Sequence, residues 1–103
     1  MTLSKTLENI KKKSYFIEIF GLGYVGFPLV VRLASSGLKV RGIDVNENRV
    51  KRLNENHLMD SEIYLKEQFL KCKEHKNLEI LSNPMKTDRC KVGIICVPTP
   101  IPN

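Results

Sequence analysis

The segment Phe20-Gly21-Leu22-Gly23-Tyr24-Val25-Gly26 carries the pattern G-x-G-x-x-G and predicts how the rest of the chain is organised. It follows an apolar run at 15–20 and opens a stretch in which apolar residues recur at helical spacing. A strand, a glycine turn and a helix in this order are the context that makes the pattern informative. We expect Gly21 to form the turn, Gly23 to leave room for a pyrophosphate, and Gly26 to let the helix pack closely on the strand. The helix N-terminus would then present unpaired N–H groups to phosphate oxygens.

Composition limits the class of protein. A chain of 103 residues with 42% hydrophobic residues predicts one globular domain. No apolar run approaches the roughly 20 residues of a membrane span, so no membrane partner is expected. The N-terminus has no apolar signal-peptide core, which favours a cytoplasmic location.

The charge balance is basic, because 17 Lys and Arg exceed 11 Asp and Glu by 6. The one tight cluster is 11–13, and no aromatic residues are interleaved with it. A solvated basic face explains this pattern better than nucleic-acid binding. We therefore expect no nucleic-acid partner, and the anionic partner we expect is a dinucleotide.

The cysteines and histidines do not form a recognisable site. Cys72, Cys90 and Cys96 contain no C-x-x-C pair, and their odd number without a signal peptide favours reduced thiols. His57 and His75 stand apart without other metal ligands, so surface or capping roles are expected for them. We predict no metal site and no catalytic residue in this chain.

The periodicity of the remaining sequence predicts an α/β fold. Strands are expected at 15–20, 39–44, 78–81 and 91–97, and helices at 24–36, 47–54 and 62–74, after a lead-in helix within 1–14. Right-handed crossovers place these strands in the order 3-2-1-4 of a partial, Rossmann-like, doubly wound parallel sheet. Glu18 is out of place in this scheme, because a central parallel strand should be continuously apolar.

Two charged residues follow the second predicted strand. Asp44 lies 18 residues after Gly26, at the tip of that strand, where a carboxylate can accept hydrogen bonds from ribose hydroxyls and repel a 2′-phosphate. A helix N-cap is the alternative role for Asp44, and the two roles can coexist. Arg49 is placed to reach over the adenosine or its phosphate, although an exposed helical arginine could equally have no role.

The loop after the fourth predicted strand, Val97-Pro98-Thr99-Pro100, borders the same crevice because that strand lies beside the first. This topology places Thr99 near the cofactor, where its hydroxyl can bond to a ribose or phosphate. A plain strand-ending turn is the alternative.

The segments GLGYVGFPLV, GIDVNENRV and IICVPTP resemble the N-terminal part of the UDP-glucose/GDP-mannose dehydrogenase family, the nucleotide-sugar 6-dehydrogenases. The similarity covers about residues 7–102. LENIKKK and the VPTP ending are more similar to members acting on UDP-N-acetylglucosamine or UDP-N-acetylmannosamine. The resemblance implies NAD as cofactor, with the following contacts: Gly21, Leu22, Gly23, Tyr24, Val25, Gly26, Asp44, Arg49, Val97, Pro98 and Thr99.

The resemblance also implies what this chain lacks. The family's catalytic cysteine, lysine and asparagine lie far downstream, and none of the three cysteines here matches in position. The family's glycine after the L-N pair is absent as well, because Asn54 leads into Glu55. We therefore expect 15–103 to be a truncated NAD-binding half-domain that catalyses nothing alone.

The leading hypothesis is the NAD-binding segment of an enzyme that oxidises C6 of a UDP-sugar to the acid by two hydride transfers. The UDP-sugar would bind only in the full-length enzyme. A stand-alone dinucleotide-binding or regulatory module is the alternative, and a flavoprotein or a methyltransferase is a third. We expect a homo-oligomer, because the strand at 91–97 would have an apolar edge prone to pairing.

Overall fold

The computed structural model describes residues 16–83 and the backbone of 90–95. Within these ranges the elements are, in chain order, β1 (Phe16–Phe20), α1 (Gly26–Ser35), β2 (Lys39–Ile43), α2 (Glu47–Asn54), a 3-10 helix (Asp60–Leu65), α3 (Lys66–Glu74), β3 (Leu78–Leu81) and β4 (Cys90–Ile95). The predicted lead-in helix at 1–14 lies outside the described residues. In the described ranges, no helix has the length and apolar character needed to cross a membrane.

The four strands form one parallel sheet in the order β3-β2-β1-β4, which is the order that right-handed crossovers predict. Phe20 at the end of β1 lies opposite Ile43 of β2 on one side and Ile95 of β4 on the other. The carboxyl ends of these three strands therefore reach the same edge of the sheet. The expected α/β class with a parallel sheet is confirmed.

The core lies between one face of this sheet and the helices. Side chains alternate between faces along a strand, so every second strand residue points into this core. Phe27 of α1 and Phe69 of α3 meet there edge to face, with 5.3 Å between ring centroids. Burying one such side chain stabilises the fold by about 1.5–3 kcal/mol. The strand members are Ile17, Ile19, Val40, Leu78 and Ile80, and the helix members include Val30, Val31, Ala34, Val50 and Leu53.

The other face of the sheet carries charge at its centre. Glu18 of β1, Arg41 of β2 and Glu79 of β3 are neighbours in register across three strands. Arg41 Nη1 lies 3.8 Å from the Glu18 carboxylate, and Arg41 Nε lies 3.3 Å from that of Glu79. Glu18 is therefore tolerated in a buried strand because the neighbouring strand supplies a cation.

The three α-helices of the described ranges end in the same way, with one residue in the left-handed region just after the helix. These residues are Gly37, Asn56 and Lys76, with φ of 98°, 64° and 61°. The residue after each one donates its N–H to the carbonyl five positions back, at 3.3, 2.8 and 2.9 Å respectively. Asn56 supplies this conformation in the loop that follows the Leu53-Asn54 pair. Its side chain accepts a 2.7 Å hydrogen bond from Lys73 Nζ, and partial burial lowers the pKa of Lys73.

The predicted helix at 62–74 is in fact two elements, the 3-10 helix and α3. Glu62 and Leu65 are both buried, whereas Ile63 and Tyr64 between them are exposed. Residues three apart share a face in a 3-10 helix, because it has three residues per turn. The mixed periodicity of the sequence in this segment reflects that change of helix type.

Candidate dinucleotide-binding site

The glycine turn begins directly after β1. Gly21 has φ of 97°, in the left-handed region that side chains rarely adopt. Its N–H donates to the carbonyl oxygen of Ile43 at 2.8 Å and so extends the pairing of β1 with β2 by one residue. The turn is therefore held against the end of the neighbouring strand, and Gly21 has the role expected of it.

The surface beyond Gly23 is open. A β-carbon added at Gly23 would have no atom within 4 Å. The next hydrogen bonds of the turn begin at Phe27, whose N–H donates to the Gly23 carbonyl oxygen at 3.2 Å. The N–H groups of Gly23, Tyr24, Val25 and Gly26 meet no acceptor among the described residues. Four consecutive donors at the start of a ten-residue helix suit a phosphate group.

Leu22 is fixed from three sides. Its N–H donates to Asp44 Oδ2 at 2.8 Å, and its carbonyl oxygen accepts from Arg49 Nε and Nη2 at 3.1 and 2.9 Å. Its side chain is 1% exposed and packs over Gly42, where an added β-carbon would lie 2.8 Å from Leu22 Cδ2. The Leu22 peptide groups are thus occupied within the chain, and the residue anchors the turn to the core.

Asp44 lies immediately after β2, beside the turn. Besides the bond to Leu22, its Oδ1 accepts from the N–H of Asn46 at 2.9 Å. The N-cap of α2 is Asn46, whose side chain accepts from the N–H of Arg49 at 3.1 Å. Asn46, and not Asp44, therefore caps α2. A carboxylate has about four acceptor positions, so two remain for hydroxyl donors.

Arg49 lies between the turn and the 3-10 helix. Its Nη1 donates to Glu62 Oε1 at 2.9 Å, and Nη2 donates to Glu62 Oε2. Together with the two bonds to Leu22, four of its five N–H groups are used. The guanidinium also lies over the Phe27 ring, with Cζ 5.2 Å from the ring centroid. The structure thus places Arg49 on the turn, and a direct contact with a nucleotide stays a prediction.

The remaining predicted contacts, Val97, Pro98 and Thr99, lie outside the described residues. The described part of β4 ends at Ile95, opposite Phe20, one residue before the glycine turn. The described residues contain no group of three or more His, Cys, Asp or Glu side chains that could hold a metal ion. Cys72 is buried, with Sγ 3.5 Å from Ser35 Oγ, and both histidines are exposed.

Comparison with known proteins decides the family. Residues 15–103 match the model of the UDP-glucose/GDP-mannose dehydrogenase family, NAD binding domain. The chain belongs to this family. Its cofactor is the one the sequence predicts, NAD.

Individual relatives agree with this assignment. The chain is 40% identical over 84 residues to the UDP-N-acetyl-D-mannosamine dehydrogenase of Methanocaldococcus jannaschii, covering 82% of this chain and 19% of that protein. It is 40% identical over 85 residues to the UDP-N-acetyl-D-glucosamine 6-dehydrogenase of Salmonella typhi, with the same coverage of 82% and 19%. The expected similarity to members acting on these two sugars is confirmed.

A solved structure gives the same result for the fold. A structure of the UDP-N-acetyl-mannosamine dehydrogenase of Staphylococcus aureus superposes with a TM-score of 0.72 at 30% identity, covering 82% of this chain and 20% of that one. The chain therefore spans about a fifth of the length of the relatives it matches.

Two residues of the site were not identified from the sequence. Gly42 leaves the space into which Leu22 packs, and Glu62 holds Arg49. Gly42 could have been noticed as the one residue without a side chain in an otherwise complete strand, K-V-R-G-I. Glu62 gave no comparable signal, because its partner is 13 positions away in another element.

Proposed function

We propose that this member of the family binds the pyrophosphate of NAD at the N–H groups of residues 23–26. The observation that carries the proposal is an open surface at Gly23 together with four N–H groups that meet no acceptor among the described residues, next to an anchored Leu22. A side chain at position 23 would occupy the space that the phosphates need. Tyr24 and Val25 would contribute their amides, and their exposed side chains would flank the ligand.

The proposed role of Asp44 is to accept hydrogen bonds from the adenosine ribose. Its two bonds to Leu22 and Asn46 hold the carboxylate in place and leave acceptor positions free. A 2′-phosphate at the same place would meet a fixed negative charge. Leu22 and Arg49 would act mainly by holding the turn, with one N–H of Arg49 left for the nucleotide, and residues 97–99 would close the crevice from the side of β4.

For the complete protein we propose oxidation of C6 of a UDP-N-acetylhexosamine or UDP-glucose to the acid. The bound NAD would supply the hydride acceptor for two successive transfers. The relatives at 40% identity support the sugar class by their names, and the fraction of their length matched here explains why no sugar contact is assigned. A homo-oligomer in the cytoplasm completes the proposal.

The test is calorimetric titration of the full chain with NAD and with NADP. We expect NADP to bind about tenfold more weakly or worse, since like charges are brought together at Asp44. Asp44→Ala should weaken NAD binding by about 1.5–3 kcal/mol through lost charge-assisted hydrogen bonds. Asp44→Asn keeps one acceptor oxygen but no charge. It should reduce the difference in affinity between NAD and NADP.

The matched control is Glu55→Gln, an exposed carboxylate at the other end of α2. It should leave both affinities unchanged. Equal affinities of the unaltered chain for NAD and NADP would contradict the role given to Asp44.

A further inference from the structure

Glu62 is a buried carboxylate at the centre of the contacts that hold the glycine turn. Its side chain is 5% exposed. It accepts from both terminal nitrogens of Arg49 and, through Oε1, from the N–H of Met59 at 3.2 Å. Such a group is expensive to bury without partners, and here its charge is matched by Arg49 alone among the described residues.

Arg49 uses two different edges of its planar guanidinium. The edge formed by Nε and Nη2 faces the Leu22 carbonyl oxygen, and the end formed by Nη1 and Nη2 faces Glu62. Because the group is rigid, fixing one edge fixes the other. Glu62 therefore fixes the orientation in which Arg49 donates hydrogen bonds to the Leu22 carbonyl.

The hydrogen bonds from Arg49 to the Leu22 carbonyl also orient the N–H groups that the proposed function uses. The Leu22 carbonyl and the Gly23 N–H belong to the same peptide group, and that N–H is the first of the four that meet no acceptor in the part of the chain that the structure describes. The Leu22 N–H donates to Asp44, and the Leu22 carbonyl accepts from Arg49. These two bonds together fix the plane of the peptide group between Leu22 and Gly23. Donors held in place before the ligand arrives bind it more tightly, because less ordering remains to be done.

We propose that Glu62 is a positioning residue for dinucleotide binding, acting through Arg49 and the Leu22 carbonyl without touching the ligand. This inference rests on the proposed function. It assigns a role in cofactor affinity to a residue of the 3-10 helix that lies outside the G-x-G-x-x-G segment and outside β2.

The experiment is a double-mutant cycle on the full chain with Glu62→Gln, Arg49→Met and the two combined. Each variant is titrated with NAD by calorimetry and unfolded with urea. Glu62→Gln alone should raise the Kd for NAD about tenfold, the equivalent of about 1.4 kcal/mol. In the Arg49→Met background the same change should leave the Kd within about twofold, because the residue through which Glu62 acts is gone.

The unfolding midpoint should behave differently from the Kd. Glu62→Gln should lower the urea midpoint in the natural chain, where it removes a charge partner of Arg49. In the Arg49→Met background it should raise the midpoint, because it neutralises a buried carboxylate that has lost its cation. If Glu62 only stabilised the fold, the Kd for NAD and the urea midpoint would change together in every variant. The Glu62→Gln change would then tighten NAD binding in the Arg49→Met background, where it raises the midpoint.

Glu67→Gln is the matched control, since Glu67 is exposed on α3 and pairs only with the exposed Lys71 among described residues. It should change neither quantity. Two results would overturn the role of Glu62 and leave the proposed function standing. The first is a Glu62→Gln effect on the Kd for NAD that is equally large in the Arg49→Met background. The second is no effect of Glu62→Gln on the Kd in a chain that binds NAD. A folded natural chain that binds no NAD overturns both. If Glu62→Gln alone does not fold, Glu62→Asp, which keeps the charge but shortens the reach to Arg49, is titrated in its place. It should raise the Kd for NAD, and an unchanged Kd in that variant overturns the role of Glu62.

Discussion

Among the described residues, two arginines lie beside a buried carboxylate, and they differ in where the chain places them. Arg41 stands in the middle of β2, between Glu18 and Glu79 on the neighbouring strands, and its guanidinium carbon lies 3.7 Å from the centre of the Phe16 ring. Arg49 stands on α2, beyond the carboxyl edge of the sheet, and joins the glycine turn to the 3-10 helix. The first links three strands that are already paired, and the second links segments that would otherwise be separate.

The two also differ in how completely they are bonded. Arg49 donates four hydrogen bonds to a carboxylate and a carbonyl. Arg41 makes one with the residues that the structure describes, to Glu79, and its distance to the Glu18 carboxylate is 3.8 Å. Among the described residues, Arg41 Nη1 and Glu18 Oε2 have no hydrogen-bond partner. A buried carboxylate opposite the arginine is common to both sites, so this feature alone does not separate Arg49 from Arg41. The bonds from Arg49 to a main-chain turn with open donors are what set it apart.

The largest effect should come from Arg49→Met, which breaks the better-bonded pair. It leaves the Glu62 carboxylate buried without its cation and the Leu22 carbonyl without a donor. We expect the free energy of unfolding to fall by about 3–5 kcal/mol, measured by urea denaturation, as for other buried pairs that lose one partner. NAD affinity should fall with it.

Arg52→Met is the control for this change, because Arg52 is an exposed arginine on the same helix. Its removal should alter stability by no more than about 0.5 kcal/mol. If Arg49→Met costs no more than Arg52→Met, the bonding described for Arg49 does not contribute in solution.

A smaller effect is expected from Arg41→Met. Glu79 is half-exposed and can turn to water, so the main penalty is the buried Glu18 carboxylate, at about 2–3 kcal/mol of unfolding free energy. NAD affinity should stay within about twofold, since none of the hydrogen bonds and ion pairs of this cluster among the described residues involves the glycine turn.

Adding Glu18→Leu to Arg41→Met sharpens the contrast with Arg49. Replacing both charges by apolar groups removes the unpaired carboxylate, and stability should return close to that of the natural chain. The combined variant should bind NAD normally. A loss of NAD binding in this variant would show that the two arginine sites are coupled through the sheet.

The comparison also explains what the sequence could and could not predict. The turn at Gly21 and the carboxylate at Asp44 were predictable, because the first is a local backbone requirement and the second follows from the length of one helix and one strand. The sequence alone does not explain Glu18 and does not identify Arg41 as its partner. Their pairing depends on which residues of two strands, 23 positions apart, stand opposite each other.

The same reasoning applies to the other buried pair. The position of Arg49 near the nucleotide site was predictable from its spacing after Asp44, but its bonds were not. They depend on a 3-10 turn at Asp60–Leu65 that replaces the first turn of the predicted helix and brings Glu62 inward. Local patterns therefore predicted the elements and the donors of the site, whereas the pairs that hold them require the folded chain.

The smallest expected effect, a gain, comes from Lys76→Gly. Lys76 closes α3 with φ of 61°, a conformation that glycine adopts without the steric cost of a β-carbon. We expect the free energy of unfolding to rise by about 0.5–1 kcal/mol, as is common when a helix cap is improved. Lys76→Ala is the control, because it removes the charge but keeps the β-carbon, and an equal gain in that variant would point to charge instead of backbone strain. Among the described residues Lys76 shares no hydrogen bond with either arginine, so the gain should add to both arginine variants equally. In that more stable background, the difference in unfolding free energy between Arg49→Met and Arg41→Met can be measured on chains that remain folded. If the gain from Lys76→Gly is absent in one of the two variants, the arginine removed in that variant is coupled to α3.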